Sequence, residues 1–165
     1  MKLRKICRTD AEQIAKLMNN KKVVANLRDL IPFPYRLEDA EEFIGFCEHE
    51  DPAANFAIDL DGLLAGVIGL TIQNDIHRKT AEIGYWLGEP FWNKGIMTEA
   101  VKAIVDYGFK ELDLVRIFTG VFEHNKASHR VLQKAGFKFE CIFRKAIIKY
   151  GEVMDEFRYA IIRDV

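Results

Sequence analysis

Apolar positions along this chain recur with two different spacings, and the switch between them marks out the elements. Residues 2–7 read as a short first strand. Asp10 and Gln13 make a pair like a capping box, and Ile14, Leu17 and Met18 fall on one helical face. A second helix follows from about Glu38, with Ala40, Phe43, Ile44 and Cys47 at i, i+3, i+4 and i+7. Asn55–Leu60 and 63–73 read as strands around Asp61-Gly62, a strong hairpin signal. Thr80–Leu87 is a third period-two run. Beyond it Met97, Val101, Ile104, Val105 and Gly108 face one way, while Glu99, Lys102, Asp106 and Lys110 face the other. Residues 115–122 are apolar on both faces, as a central strand requires. Asn125 opens a short helix that stops at Gly136, and two long strands, 137–149 and 153–163, close the chain around Gly151. Together these predict a single α/β (α+β) domain over residues 1–165 with a mixed sheet.

Composition narrows the classes. Lys and Arg number 24 against 25 Asp and Glu, so no strongly basic surface invites nucleic acid. No apolar run approaches the roughly 18–20 residues that span a membrane, and the first six residues lack a signal-peptide core. Cys7, Cys47 and Cys141 are odd in number and far apart, which predicts buried reduced thiols in a cytoplasmic protein, with no metal spacing.

The most informative stretch is Trp92-Asn93-Lys94-Gly95-Ile96-Met97-Thr98-Glu99-Ala100, a glycine turn entering the best-patterned helix directly behind a strand. The first turn of a helix carries N–H groups with no internal partner and the positive end of the macrodipole. Such a turn suits a phosphate or pyrophosphate, and a glycine lets backbone approach an anion closely. No G-x-G-x-x-G run or Walker lysine follows the strand, which disfavours a nucleotide-binding domain.

Three segments, Ala81-Glu82-Ile83-Gly84-Tyr85-Trp86-Leu87, Phe91 through Ala100, and Asn125 through Phe137, resemble in order and spacing the GNAT superfamily of acetyl-coenzyme-A-dependent N-acetyltransferases. The loop Ile31-Pro32-Phe33-Pro34-Tyr35 and the tail pattern Arg144…Gly151…Asp155 resemble its branch of ribosomal-protein alanine and serine N-terminal acetyltransferases, the RimJ/RimL type. The resemblance implies a mostly antiparallel sheet, flanked by helices on both faces, whose central strands Thr80–Leu87 and 115–122 splay to admit acetyl-CoA. It places the pyrophosphate turn on Trp92, Asn93, Lys94, Gly95, Ile96, Met97 and Thr98, with Met97 where a small residue is usual. It also implies a pantetheine bond at Asn125, Ser128 beside the thioester sulfur, and an oxyanion hole of backbone N–H groups near Leu87.

Each candidate has a plain alternative. Lys94 is a phosphate contact or a solvated lysine, and Arg130 and Lys134, one turn apart, meet the ribose 3′-phosphate or only water. Glu82 shares a strand side with Gly84 and Trp86, opposite Ala81, Ile83, Tyr85 and Leu87. There it is a general base acting through a water, or a strand carboxylate in an ion pair. Phe33, Tyr35 and Trp86 line an acceptor pocket or belong to the core. His77, His124 and His129 read as solvent-facing. The apolar groups of the Pro32/Pro34 loop suit a pocket or a homodimer contact.

The implied reaction is direct attack of a neutral primary amine on the acetyl carbonyl, with coenzyme A leaving as a thiolate. The family's usual tyrosine acid falls on Leu132, which leaves Ser128 and water for the proton and keeps a non-catalytic coenzyme-A-binding module as the alternative. An α-amine, with a pKa of about 7.7–8, is neutral near pH 7 to about a tenth, and lysine, near 10.4, to under about a thousandth. A sparse proton apparatus therefore favours the α-amine of a peptide N-terminus or a small molecule.

Overall fold

A computed structural model describes residues 1–164. Seven strands hydrogen-bond in the order β1-β2-β3-β4-β5-β7-β6. They are β1 (Lys2–Lys5), β2 (Asn55–Leu60), β3 (Leu63–Ile72), β4 (Thr80–Leu87), β5 (Arg116–Phe122), β6 (Lys138–Lys149) and β7 (Glu152–Ile162). The helices are α1 (Ala11–Met18), α2 (Lys21–Val24), α3 (Leu37–Glu48), α4 (Ile96–Lys110) and α5 (Lys126–Lys134). β4 and β5 run parallel, and their pairing extends only over Thr80↔Arg116, Ala81↔Ile117 and Glu82↔Phe118. The ladder therefore stops partway along both strands.

The chain forms two compact units. The first comprises Met1–Gly69 and Tyr85–Ile96. Its core joins Ile14, Leu17 and Met18 of α1 to Ala40 and Ile44 of α3 and to Ala57, Leu64 and Val67 of the β2–β3 hairpin. That hairpin turns on Asp61 and Gly62 at φ 52° and 92°, the left-handed pair a two-residue turn needs. One guanidinium braces the unit. Arg4 donates from Nη1 and Nη2 to the two Asp10 oxygens, each at 2.7 Å, and from Nε to Asp59 Oδ2 at 2.7 Å. Both carboxylates are buried, and Arg4 meets Asp10 with the fork geometry that makes such pairs strong.

The second unit comprises Leu70–Gly84 and the chain from Met97 onward. Met97, Ala100, Val101, Ile104 and Val105 of α4 are buried, as the 3.6-residue period predicted. Asp113 clips the loop before β5, accepting from Lys79 Nζ at 2.6 Å and from Arg163 Nη2 at 2.8 Å. β6 and β7 form a long hairpin, with Lys149 opposite Glu152 across Tyr150 and Gly151.

Some expectations fail. Asp10 makes no capping bond to α1, because Arg4 and the Cys7 N–H (2.9 Å) occupy its carboxylate. The cysteines are free but not all buried: Cys7 and Cys141 are exposed and Cys47 is half-buried. α2 was not read from the sequence, being a single turn whose Val23 and Val24 are its only inward residues.

Candidate functional site

The turn ahead of α4 belongs to the first unit. Trp92 donates its indole N–H to the Leu87 carbonyl at 2.7 Å and packs against the unit's core. The indole thus props the turn open behind β4 and has no proton left for a ligand. Asn93 and Gly95 both sit in the left-handed region, at φ 60° and 77°. Gly95 is the more constrained: a side chain there is strained, although open space faces its Cβ direction. Among the described residues no hydrogen bond is donated by the N–H of Gly95, Ile96 or Met97. These amides lie at the positive end of a fifteen-residue helix.

The flanking candidates sort themselves. Lys94 is exposed and folds back on the turn, donating to the Pro90 carbonyl at 2.9 Å. Met97 is 7% exposed, so its side chain lies in the interior. Thr98 is half-buried. Leu87 is buried, and the Gly88 N–H next to it is bonded to the Ala65 carbonyl at 2.9 Å, which removes that amide from any oxyanion hole. The turn is further tied by Glu89, which accepts from Asn20 Nδ2 at 2.5 Å and pairs with Lys22.

Of the acceptor-pocket aromatics in this unit, Tyr35 is a core residue. Burial pushes its phenol up to about 12, and its hydroxyl donates to the Asp39 carbonyl at 3.3 Å. Its backbone N–H donates to Asn19 Oδ1 at 2.9 Å, fixing the end of the Pro32/Pro34 loop. Trp86 is half-buried against the same core, whereas Phe33 is exposed.

The second unit holds the remaining candidates. Asn125 caps α5, its Oδ1 accepting from the Ser128 N–H at 3.1 Å, so the two share the helix entrance as expected. That bond leaves the Asn125 amide group to donate elsewhere. Arg130 and Lys134 stand exposed one turn apart. Leu132 is fully buried, and no proton donor occupies its position. Glu82 is half-buried on the β4 side opposite the buried Ala81 and Ile83, as the two-residue period required. His77 and His124 are exposed, but His129 is buried and hydrogen-bonds through Nδ1 to the Tyr159 hydroxyl at 2.9 Å, a correction to its expected exposure. Burial lowers its pKa, with the Phe122 and Glu123 carbonyls opposing.

No sequence period signalled this pairing, or the cluster of Phe118, Phe143, Glu156 and Arg158 on β5, β6 and β7, because both depend on strand register. Among the described residues no group of His, Cys, Asp or Glu could hold a metal, and no helix is long and apolar enough to cross a membrane.

Comparison with known proteins gives a consistent family. A family model described as Acetyltransferase (GNAT) domain matches residues 1–138. The uncharacterized N-acetyltransferase YnaD of Bacillus subtilis is 35% identical over 130 residues, 77% of this chain and 74% of that protein. The crystal structure of a ribosomal-protein-S5-alanine acetyltransferase from Vibrio fischeri aligns with a TM-score of 0.84 and 25% identity, covering 98% of this chain and 92% of that one. That of spermidine N-acetyltransferase from Vibrio cholerae, solved with CoA and spermine, aligns with a TM-score of 0.81 and 26% identity over 98% and 94%.

Proposed function

The chain belongs to the GNAT acetyltransferase family and is an acyltransferase, and from that premise we propose that it moves the acetyl group of acetyl-CoA to the α-amine of a peptide N-terminus or small molecule. The observation that carries this reading is the α4 entrance, where the Gly95, Ile96 and Met97 amides stand unbonded at the positive helix end. A diphosphate gripped there by Trp92 through Thr98 needs little from side chains, in keeping with a Trp92 indole and a Lys94 ammonium already engaged in the turn. Asn125 then bonds the pantetheine arm, and Arg130 and Lys134 serve the ribose phosphate. The domain is the whole stretch 1–165, and we place it in the cytoplasm.

In the reaction the amine nitrogen attacks the acetyl carbonyl carbon, a C–N bond forms and the C–S bond breaks. The ammonium proton leaves through a water to Glu82, and the sulfur departs as a thiolate that takes a proton from Ser128 or solvent. Leu132 offers no acid, which a thiol of pKa about 8.5 tolerates as a leaving group. Most of the acceleration then comes from holding two reactants together.

The test is release of free thiol from acetyl-CoA in the presence of Ala- and Ser-initiated peptides, lysine and spermidine. Thiol release with the peptides foremost is expected. Faster acetylation of lysine or spermidine overturns the acceptor assignment, and no release from any amine overturns the enzyme reading. Glu82→Gln lowers kcat by about a hundredfold with little change in acetyl-CoA affinity.

A further inference from the structure

β5 lies between β4 and β7, and register puts one set of side chains on a common face of the second unit. Glu82 pairs with Phe118, Gly120 with Arg158 and Phe122 with Glu156, while Phe143 of β6 stands opposite Glu156. Paired residues share a face, so Glu82 looks out on the same side as Phe118, Phe143, Glu156 and Arg158. His129 and Tyr159 belong to the opposite side.

Two arginines approach the Phe118 ring, and they differ in what holds them. Arg116 lies 6.0 Å from the ring centroid, and Glu140 takes both its terminal nitrogens, at 2.7 and 2.5 Å. Its fork is satisfied. Arg158 lies 5.8 Å from the Phe118 centroid and 4.6 Å from that of Phe143. Glu156 Oε2 stands 2.8 Å from its Nε as an ion pair without hydrogen-bond geometry, and among the described residues that buried Nε has no hydrogen-bond partner. Ring contacts use the faces of a guanidinium and leave its N–H edge unspent. Among the described residues neither Arg158 Nη1 nor Nη2 donates a hydrogen bond. Its side chain is 25% exposed, so the edge is reachable yet partly desolvated.

Gly120 makes the arrangement possible. A Cβ at that position would lie 2.1 Å from Glu156 Oε1, so the carboxylate that orients Arg158 occupies the space a side chain would fill.

We propose that Arg158, oriented by Glu156 and clamped by Phe118 and Phe143, is a specificity residue that binds a carboxylate carried by the acceptor. This rests on the reading of Glu82 as the group facing the acceptor amine. Arg158 lies two strands from Glu82, and strands are spaced about 4.8 Å apart, which sets amine and carboxylate roughly 5–10 Å apart once the length of the arginine is allowed for. A peptide with an acidic second residue spans that distance, and a polyamine offers nothing to Arg158.

The experiment compares Ala-Glu-amide with Ala-Gln-amide, two acceptors with like α-amines, in wild type, Arg158→Gln and Arg158→Lys, reading kcat and KM from thiol release and folding from thermal unfolding. Wild type is expected to favour Ala-Glu-amide by roughly tenfold or more, chiefly in KM, as a charge-assisted hydrogen bond allows. The ratio collapses toward one in Arg158→Gln. In Arg158→Lys, which keeps the charge but loses the planar fork, it is partly restored. Equal use of the two peptides by wild type overturns the proposal, as does a preference that survives in Arg158→Gln. Spermidine outrunning both peptides overturns it too. Should Arg158→Gln fail to fold, the Arg158→Lys ratio decides: an undiminished preference there overturns it. An absence of thiol release from every amine sinks the acetyl-transfer reading as well, and so is distinguishable from a lost preference alone.

Discussion

Arg4 ties three segments of the first unit through one guanidinium, and its loss strands charge in the interior. Arg4→Ala leaves the Asp10 carboxylate buried and unpaired, which costs about 3 kcal/mol and reads as a lower urea midpoint. Burial alone raises the Asp10 carboxyl; the Arg4 bonds and the Cys7 N–H outweigh it and hold it below its ordinary range. Lys79, and then Arg163, hold Asp113 down to about 2. A lowered carboxyl contributes stability above its unfolded value near 4 that is lost as pH falls through the folded value. Acid titration followed by circular dichroism is therefore expected to show unfolding between about pH 4 and 2, with a shallower slope in Arg4→Ala. His129 works on a higher window. Burial lowers it, so its contribution is whole above about pH 6.5 and declines as the unfolded chain binds a proton below that. His129→Phe is expected to flatten stability there, measured as Tm at pH 7 and 5.5. Neither Arg4 nor His129 was legible beforehand, since each acts on residues distant in sequence, and an exposed Cys7 looks like a buried one until its neighbours are known.

Elements fared better where the signal is local. The α4 stripe, the Asp61-Gly62 turn and the Asn125 cap each depend on residues within a few positions, and they stand where period and turn chemistry put them. Asp10 shows the converse: its spacing from Gln13 suited a cap, but a partner from β1 took the carboxylate. Asn125→Ala is predicted to cost about 1 kcal/mol through the lost bond to the Ser128 N–H, and to raise KM for acetyl-CoA as well. A stability loss with unchanged KM restricts Asn125 to its capping role.

At the scale of the whole molecule, family likeness gave a mostly antiparallel sheet with β4 and β5 at its centre, whereas the strand order β1-β2-β3-β4-β5-β7-β6 came only with the structure. Register, the property that gathers Glu82, Phe118 and Arg158 on one face, lies beyond a linear reading. The proposed acetyl-CoA site couples to the fold by mass action. Acetyl-CoA at a hundred times its dissociation constant stabilises a binding-competent chain by about 2.7 kcal/mol. Gly95→Glu is expected to abolish that rise in Tm while keeping the unliganded fold, and an unchanged dissociation constant counts against the turn as the diphosphate site. The chain's two tryptophans, Trp86 and Trp92, flank the end of β4, and the indole of Trp92 is hydrogen-bonded to Leu87 at the mouth of that turn. On the proposal that acetyl-CoA seats at this turn, its titration into the unlabelled protein is expected to change the tryptophan emission, and an unchanged emission counts against that seat.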